Sequence, residues 1–203
     1  GGLRFFERAE IKNALAYLRL ISNKTDDNAF LRIINFPTRG IGARTIEHLQ
    51  DQAKINNYSL WEAAKKIESQ NENINKGVPF FVRLIKNLED EIQGASIAES
   101  IESIVTHSGL KDHYLKDKDG IDRVSNLNEL VSAAVTFVNT TEIENEALTL
   151  VEFLNYTSLE SGELQASAGD DALQLMTIHS SKGLEFDVVF ITGLEDGLCP
   201  HEQ

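Results

Sequence analysis

The sequence predicts a mainly α-helical chain that ends in a short α/β segment. Three observations carry this expectation. Apolar side chains recur at helical spacing along most of the chain, Ser/Thr-x-x-Glu capping boxes punctuate it, and short runs of branched apolar residues are confined to the stretch after residue 170. The chain has 203 residues, 41% hydrophobic and 25% charged, with 13 Gly and 3 Pro, which is a globular composition and excludes collagen, low-complexity linkers and mucin-like stalks. A chain of this size can bury roughly 70% of its unfolded surface, enough for one core and part of a second.

Glu7 to Ser22 places Ile11, Ala14, Leu15, Leu18 and Ile21 at helical spacing with charges on the other face, an amphipathic helix. Thr25, Asp26 and Asp27 offer caps for a second, shorter helix carrying Phe30, Ile33 and Ile34, which Pro37 is expected to end. Capping boxes at Ser59-x-x-Glu62, Ser96-x-x-Glu99 and Thr149-x-x-Glu152 predict three further helix starts. Apolar stripes through Phe81, Leu84, Ile85, Leu88 and Ile92, and through Val124, Leu127, Val131, Ala134, Val135 and Val138, predict helices there too. No internal repeat is present. The small, polar and acidic stretch from Gly162 to Asp171 is the expected boundary between a helical domain, residues 1–170, and a second piece, residues 171–203. In that second piece, Leu173 to Ile178 and Val188 to Ile191 predict buried strands joined by the polar loop His179 to Glu185.

A single Cys, Cys199, can form neither an internal disulfide nor a Cys-based zinc cluster, so it reads as a small apolar residue in a reducing, cytoplasmic protein. There is no apolar run of about 18 residues and no charged-apolar-small leader, so neither a membrane span nor a signal peptide is expected. The chain opens Gly1-Gly2 and its one Met is Met176, which reads as a fragment of a longer protein. The net charge of −13 argues against nucleic acid, because phosphate-binding surfaces need Lys and Arg to release counterions. The average hides an asymmetry: residues 1–50 carry eight Lys/Arg against five Asp/Glu, whereas residues 51–203 carry eleven against twenty-seven. On charge alone this is either chance or a basic contact region.

Two segments are candidates for chemistry. The first runs Pro37-Thr38-Arg39-Gly40-Ile41-Gly42-Ala43-Arg44-Thr45, between two predicted helices. Two glycines let the backbone turn sharply and approach another surface, and the amides at the start of the next helix favour a phosphate. Arg39 and Arg44 add charge, so the segment suits sequence-independent contact with a duplex backbone; the plain alternative is a helix–helix turn. The second, Thr177 to Glu185, sets a hydroxyl, an imidazole, an ammonium and a carboxylate in one loop after a predicted strand, where ligands bind in open α/β sheets. On the residues alone His179 is either a structural hydrogen-bonder or a ligand contact, and Lys182 either a contact or a solvated charge. Leu88-Glu89-Asp90-Glu91 looks like an acidic Mg²⁺ motif but falls inside an amphipathic helix, so it reads as a solvated face.

Gly-Gly-Leu-Arg-Phe-Phe-Glu-Arg-Ala-Glu-Ile-Lys at 1–12, Pro-Thr-Arg-Gly-Ile-Gly at 37–42 and Leu-Met-Thr-Ile-His-Ser-Ser-Lys-Gly-Leu-Glu-Phe at 175–186 resemble, in order and spacing, the UvrD/Rep/PcrA family of superfamily 1 DNA helicases. The resemblance runs the whole length, through Asn126-Leu127, Leu130-Val131, Glu195-Asp196-Gly197 and Pro200, and is strongest to the UvrD type. It implies a helical 2B-type subdomain followed by part of the RecA-like motor domain 2A. By position it implies that Gly1 to Arg19 is motif IVa and that Thr38, Arg39, Gly40, Ile41, Gly42, Arg44 and Thr45 contact duplex DNA. Thr177 to Glu185 would be motif V, with Thr177, His179 and Lys182 toward single-stranded DNA and Glu185 toward the ATP ribose.

The implied parent is an ATP-dependent 3′-to-5′ DNA helicase of nucleotide excision and mismatch repair, using ATP and Mg²⁺. Its partners would be single-stranded DNA, the duplex junction and DNA-repair proteins, with no membrane, in a bacterial cytoplasm at the nucleoid. No Gly-x-x-x-x-Gly-Lys-Ser/Thr phosphate loop occurs in the chain, so no catalytic residue, metal site or bound cofactor is expected within it, and alone it should be inactive. The rival reading is a non-catalytic helical interaction or regulatory module that recruits repair proteins.

Overall fold

The structure, a computed structural model, describes residues 5–69, 76–140, 146–161, 173, 176–177 and 181–192. Among them a 3-10 turn at Phe5–Glu7 leads into nine helices: α1 (Ala9–Ser22), α2 (Asp27–Ile33), α3 (Ala43–Asn56), α4 (Leu60–Ser69), α5 (Gly77–Glu91), α6 (Ile97–His107), α7 (Leu110–Tyr114), α8 (Gly120–Thr140) and α9 (Glu146–Ser161). The chain divides into two compact units, Gly1–Leu164 and Gln165–Gln203. The mainly α expectation holds, and no described helix is long and apolar enough to cross a membrane.

Helix α1 is the centre of the first unit. Ten of its fourteen residues are buried, because α2, α5, α6, α8 and α9 all pack on it. The predicted stripe is buried, and so are Tyr17 and Leu20 off that stripe, as expected of a helix enclosed by neighbours. Asp26 caps α2, its carboxylate accepting from the Ala29 amide at 2.8 Å. Asp27 acts elsewhere: it accepts from the Leu60 amide at 2.8 Å, so a residue expected to start α2 also caps α4, together with Ser59, which accepts from the Glu62 amide at 3.2 Å. Helix α2 ends at Ile33, ahead of Pro37. The box at Ser96 and Glu99 is complete in both directions at the start of α6.

Three expectations are corrected. Thr149 does not start a helix, because α9 already runs from Glu146; a Ser/Thr-x-x-Glu spacing spans about one turn and so also occurs within helices. On α8 the buried row is Leu127, Leu130 and Ala134, while Val135 and Val138 continue a neighbouring row and remain 46% and 40% exposed. Val188 to Ile191 form no strand and are exposed, with Phe190 86% accessible. A strand is held by ladder bonds to a neighbour, and among the described residues no neighbouring strand exists. Leu173 and Met176 are likewise outside any strand, and the rest of Leu173 to Ile178 except Thr177 lies outside the described residues.

Candidate nucleic-acid interface

The segment between α2 and α3 is tied down from within. Asn35 folds its side chain over the turn, its Oδ1 accepting from the amides of Arg39 at 2.8 Å and Ile41 at 3.1 Å. Ile41 is 1% exposed and anchors the turn in the core. Tyr17 donates its hydroxyl to the Phe36 carbonyl at 2.8 Å, and the Phe36 ring packs edge to face on His113. Gly40 turns the chain with φ +72, a left-handed conformation that favours glycine.

Arg39, expected on the surface, turns its guanidinium inward. Nη1 donates to the Ile33 carbonyl at 2.9 Å, and Nη2 donates to the Tyr17 hydroxyl and to the Ser108 carbonyl at 3.1 Å. The cation lies over the rings of Tyr17 and Phe81, 5.9 and 5.6 Å from their centroids. Its planar fork of donors fits acceptors on several segments at once. Burial pushes the Tyr17 hydroxyl above its ordinary range, against the lowering effect of Arg39, so this phenol stays neutral beside the cation.

What faces outward is a different subset: Thr38, Gly40, Gly42, Ala43 and Arg44 are exposed, whereas Ile41 and Thr45 are buried. Gly42 is the N-cap of α3, with φ −85 and no side-chain cap, and no acidic residue stands in the first turn. The first amides of a helix have no intrahelical acceptor and lie at its positive dipole end. Arg44, in that first turn, makes no ion pair among the described residues. This arrangement can hold an anion against bare backbone with one cation beside it.

The second candidate segment belongs to the other unit. The Ser181 amide donates to the Thr177 carbonyl at 3.1 Å and the Leu184 amide to the Ser181 carbonyl at 3.0 Å, closing a turn through Gly183. Lys182 and Glu185 are exposed, and His179 lies outside the described residues. No group of three or more metal-ligating side chains occurs among the described residues. Glu89, Asp90 and Glu91 are exposed on α5, where Glu89 pairs with Lys24 at 2.9 Å and Glu91 with His107 at 2.7 Å, in keeping with a solvated face.

Sequence reasoning missed Asn35, Tyr17 and Ser108 as supports of the turn. Asn ahead of a turn is a local signal, since its side chain readily bonds backbone amides further along. A Tyr within an aliphatic helix is a weaker one: a buried hydroxyl needs a partner, but nothing local says which.

The family profile described as UvrD-like helicase C-terminal domain matches residues 1–203. "DNA helicase II" of Escherichia coli (strain K12) is 41% identical over 207 residues, covering 100% of this chain and 29% of that protein. "DNA helicase II" of Haemophilus influenzae is 42% identical over 205 residues, covering 98% of the chain and 28% of the relative. "ATP-dependent DNA helicase PcrA" of Bacillus subtilis is 36% identical over 213 residues, covering 100% of the chain and 28% of the relative. The chain therefore spans less than a third of the length of these relatives.

Proposed function

Because the chain belongs to the UvrD-like helicase C-terminal domain family, we propose that it is the part of an ATP-dependent 3′-to-5′ DNA helicase that grips duplex DNA through the α2–α3 turn. The observation that carries this reading is Gly42. Its φ of −85 is open to any residue, it is exposed, and beyond its own chain neighbours nothing lies within 4 Å of where its β-carbon would stand. The packing of the chain does not require glycine there, and Ser, Asn or Asp would cap the helix better. A duplex backbone approaching the α3 amides does require it. Thr38, Gly40, Gly42 and Arg44 then meet phosphates, while Arg39, Ile41 and Thr45 hold the turn from beneath.

In the same reading Thr177, His179 and Lys182 face single-stranded DNA and Glu185 faces the ATP ribose. The parent uses ATP and Mg²⁺ in nucleotide excision and mismatch repair, with DNA-repair proteins as further partners, in the bacterial cytoplasm at the nucleoid. The described residues do not by themselves fit ATP with Mg²⁺: the motif V turn offers the exposed carboxylate of Glu185, and no metal-ligating cluster accompanies it.

Gly42→Asp separates folding from binding. A carboxylate at the N-cap should leave the urea midpoint unchanged or raise stability by a few tenths of a kcal/mol, yet repel a phosphate. Duplex affinity at low salt should fall about tenfold or more, and Arg44→Gln should flatten the slope of log K against log salt by about 0.9. Undiminished duplex binding by folded Gly42→Asp would return the turn to a helix–helix connection and favour the interaction-module reading.

A further inference from the structure

A cavity of about 90 Å³ opens between α3 and α4. Its lining includes the buried Ala63 and Ile67 of α4, and four polar side chains join them: His48 and Gln52 of α3, Tyr58 of the link between the helices, and Lys66 of α4. Among the described residues the His48 ring, the Gln52 amide, the Tyr58 hydroxyl and the Lys66 ammonium donate no hydrogen bond, and Lys66 joins no ion pair. The ammonium lies over the Tyr58 ring, 5.8 Å from its centroid, which sets cation and phenol side by side. No carboxylate lines the cavity, although the chain carries a net charge of −13. Unspent donors around an acid-free hollow suit an anion. The space is far below the roughly 300–1,000 Å³ of a cavity for a drug-sized ligand, so it admits one small group and not a whole nucleotide. Arg44, His48 and Gln52 follow one another at i, i+4 and i+8, so a polyanion that meets Arg44 and runs along α3 reaches the cavity within about two turns. Glu47 and Asp51, both exposed, fall on the other side of Arg44 around the helix.

We propose that the α3–α4 cavity binds one phosphate group, with Lys66 as its charge partner and His48, Gln52 and Tyr58 as donors, and that the duplex backbone supplies that group. The source rests on the reading that the α2–α3 turn contacts duplex DNA; the preference for phosphate does not. A phosphate accepts on several sides at once, which matches donors drawn from two helices and the link between them. With Arg44 already on the backbone, a second contact on the same rigid helix adds little ordering cost.

The test has two arms, both on the whole chain, with Lys66→Gln, Tyr58→Phe and Arg44→Gln as variants. All three positions are exposed, so urea midpoints in chloride should stay close to the parent's. In the first arm inorganic phosphate replaces chloride at matched ionic strength. Phosphate strengthens burial in any protein, so the readout is the difference between variants. The midpoint should rise further in the parent and in Arg44→Gln than in Lys66→Gln, and Tyr58→Phe should need about tenfold more phosphate for the same extra rise. An equal response in the parent, Lys66→Gln and Tyr58→Phe overturns the cavity. In the second arm, binding to a blunt duplex across low salt, Lys66→Gln and Arg44→Gln should each flatten the slope of log K against log salt by about 0.9, while Tyr58→Phe lowers affinity and leaves the slope. If Arg44→Gln flattens the slope and Lys66→Gln does not, the duplex source is overturned while the turn contact stands. If neither does, the turn contact fails and the duplex source with it, and a positive first arm then assigns the cavity to free phosphate.

Discussion

At Arg39 one side chain joins three separate elements: Ile33 at the end of α2, Tyr17 of α1 and Ser108 beyond α6 all accept from its guanidinium. Hydrogen bonds from a charged donor contribute about 1.5–3 kcal/mol each and do not add fully, so Arg39→Met should destabilise the chain by about 3 kcal/mol in urea unfolding. A loss under about 1 kcal/mol would show that the guanidinium is merely accommodated. Arg39→Lys should recover a fraction, since an ammonium cannot span the same acceptors. The local sequence announces a turn here, through Gly40 and Asn35, but not the direction of this side chain. Thr38, Arg39 and Arg44 look alike as polar residues near glycine, and only the position of Tyr17 and Ser108 in space turns Arg39 inward while Thr38 and Arg44 stay exposed.

At the scale of elements, the caps behave as local chemistry. Ser96 accepts from the Glu99 amide at 3.3 Å, and Glu99 accepts from the Ser96 amide at 2.8 Å, so both halves of the box lie within four residues. Ser96→Ala should cost about 1 kcal/mol of stability by urea unfolding at neutral pH. The Ser96 hydroxyl and amide hold the Glu99 carboxyl below its ordinary range. A lowered folded pKa means that the carboxylate's share of this stabilisation is present above the ordinary carboxylate pKa and fades as pH falls below about 4, so the gap between parent and Ser96→Ala should narrow there to what the hydroxyl contributes by capping the Glu99 amide. A constant gap from pH 7 to pH 3 would contradict it. The same local pattern misleads at Thr149, where the spacing of the box coincides with the interior of α9.

For the whole molecule, the two buried phenols set an alkaline limit. Burial pushes Tyr114 up to about 12, with the Asn13 hydrogen bond opposing it, and burial raises Tyr17 as well. A raised folded pKa stabilises the fold fully below the unfolded value near 10, and that contribution is lost as pH rises from about 10 toward 12. Urea midpoints should therefore fall across that window, less steeply in Tyr114→Phe; equal slopes would remove Tyr114 from the account. The sequence by itself determined the helical character, the cap at Ser96, the apolar rows of α1 and α5 and the Gly-Ile-Gly turn, because these rest on interactions three or four residues apart. Tertiary structure alone decided that Arg39 points inward and that Val188 to Ile191 stay unpaired. Those outcomes depend on partners far along the chain or on a neighbouring strand that is absent among the described residues, and periodicity within one segment contains neither.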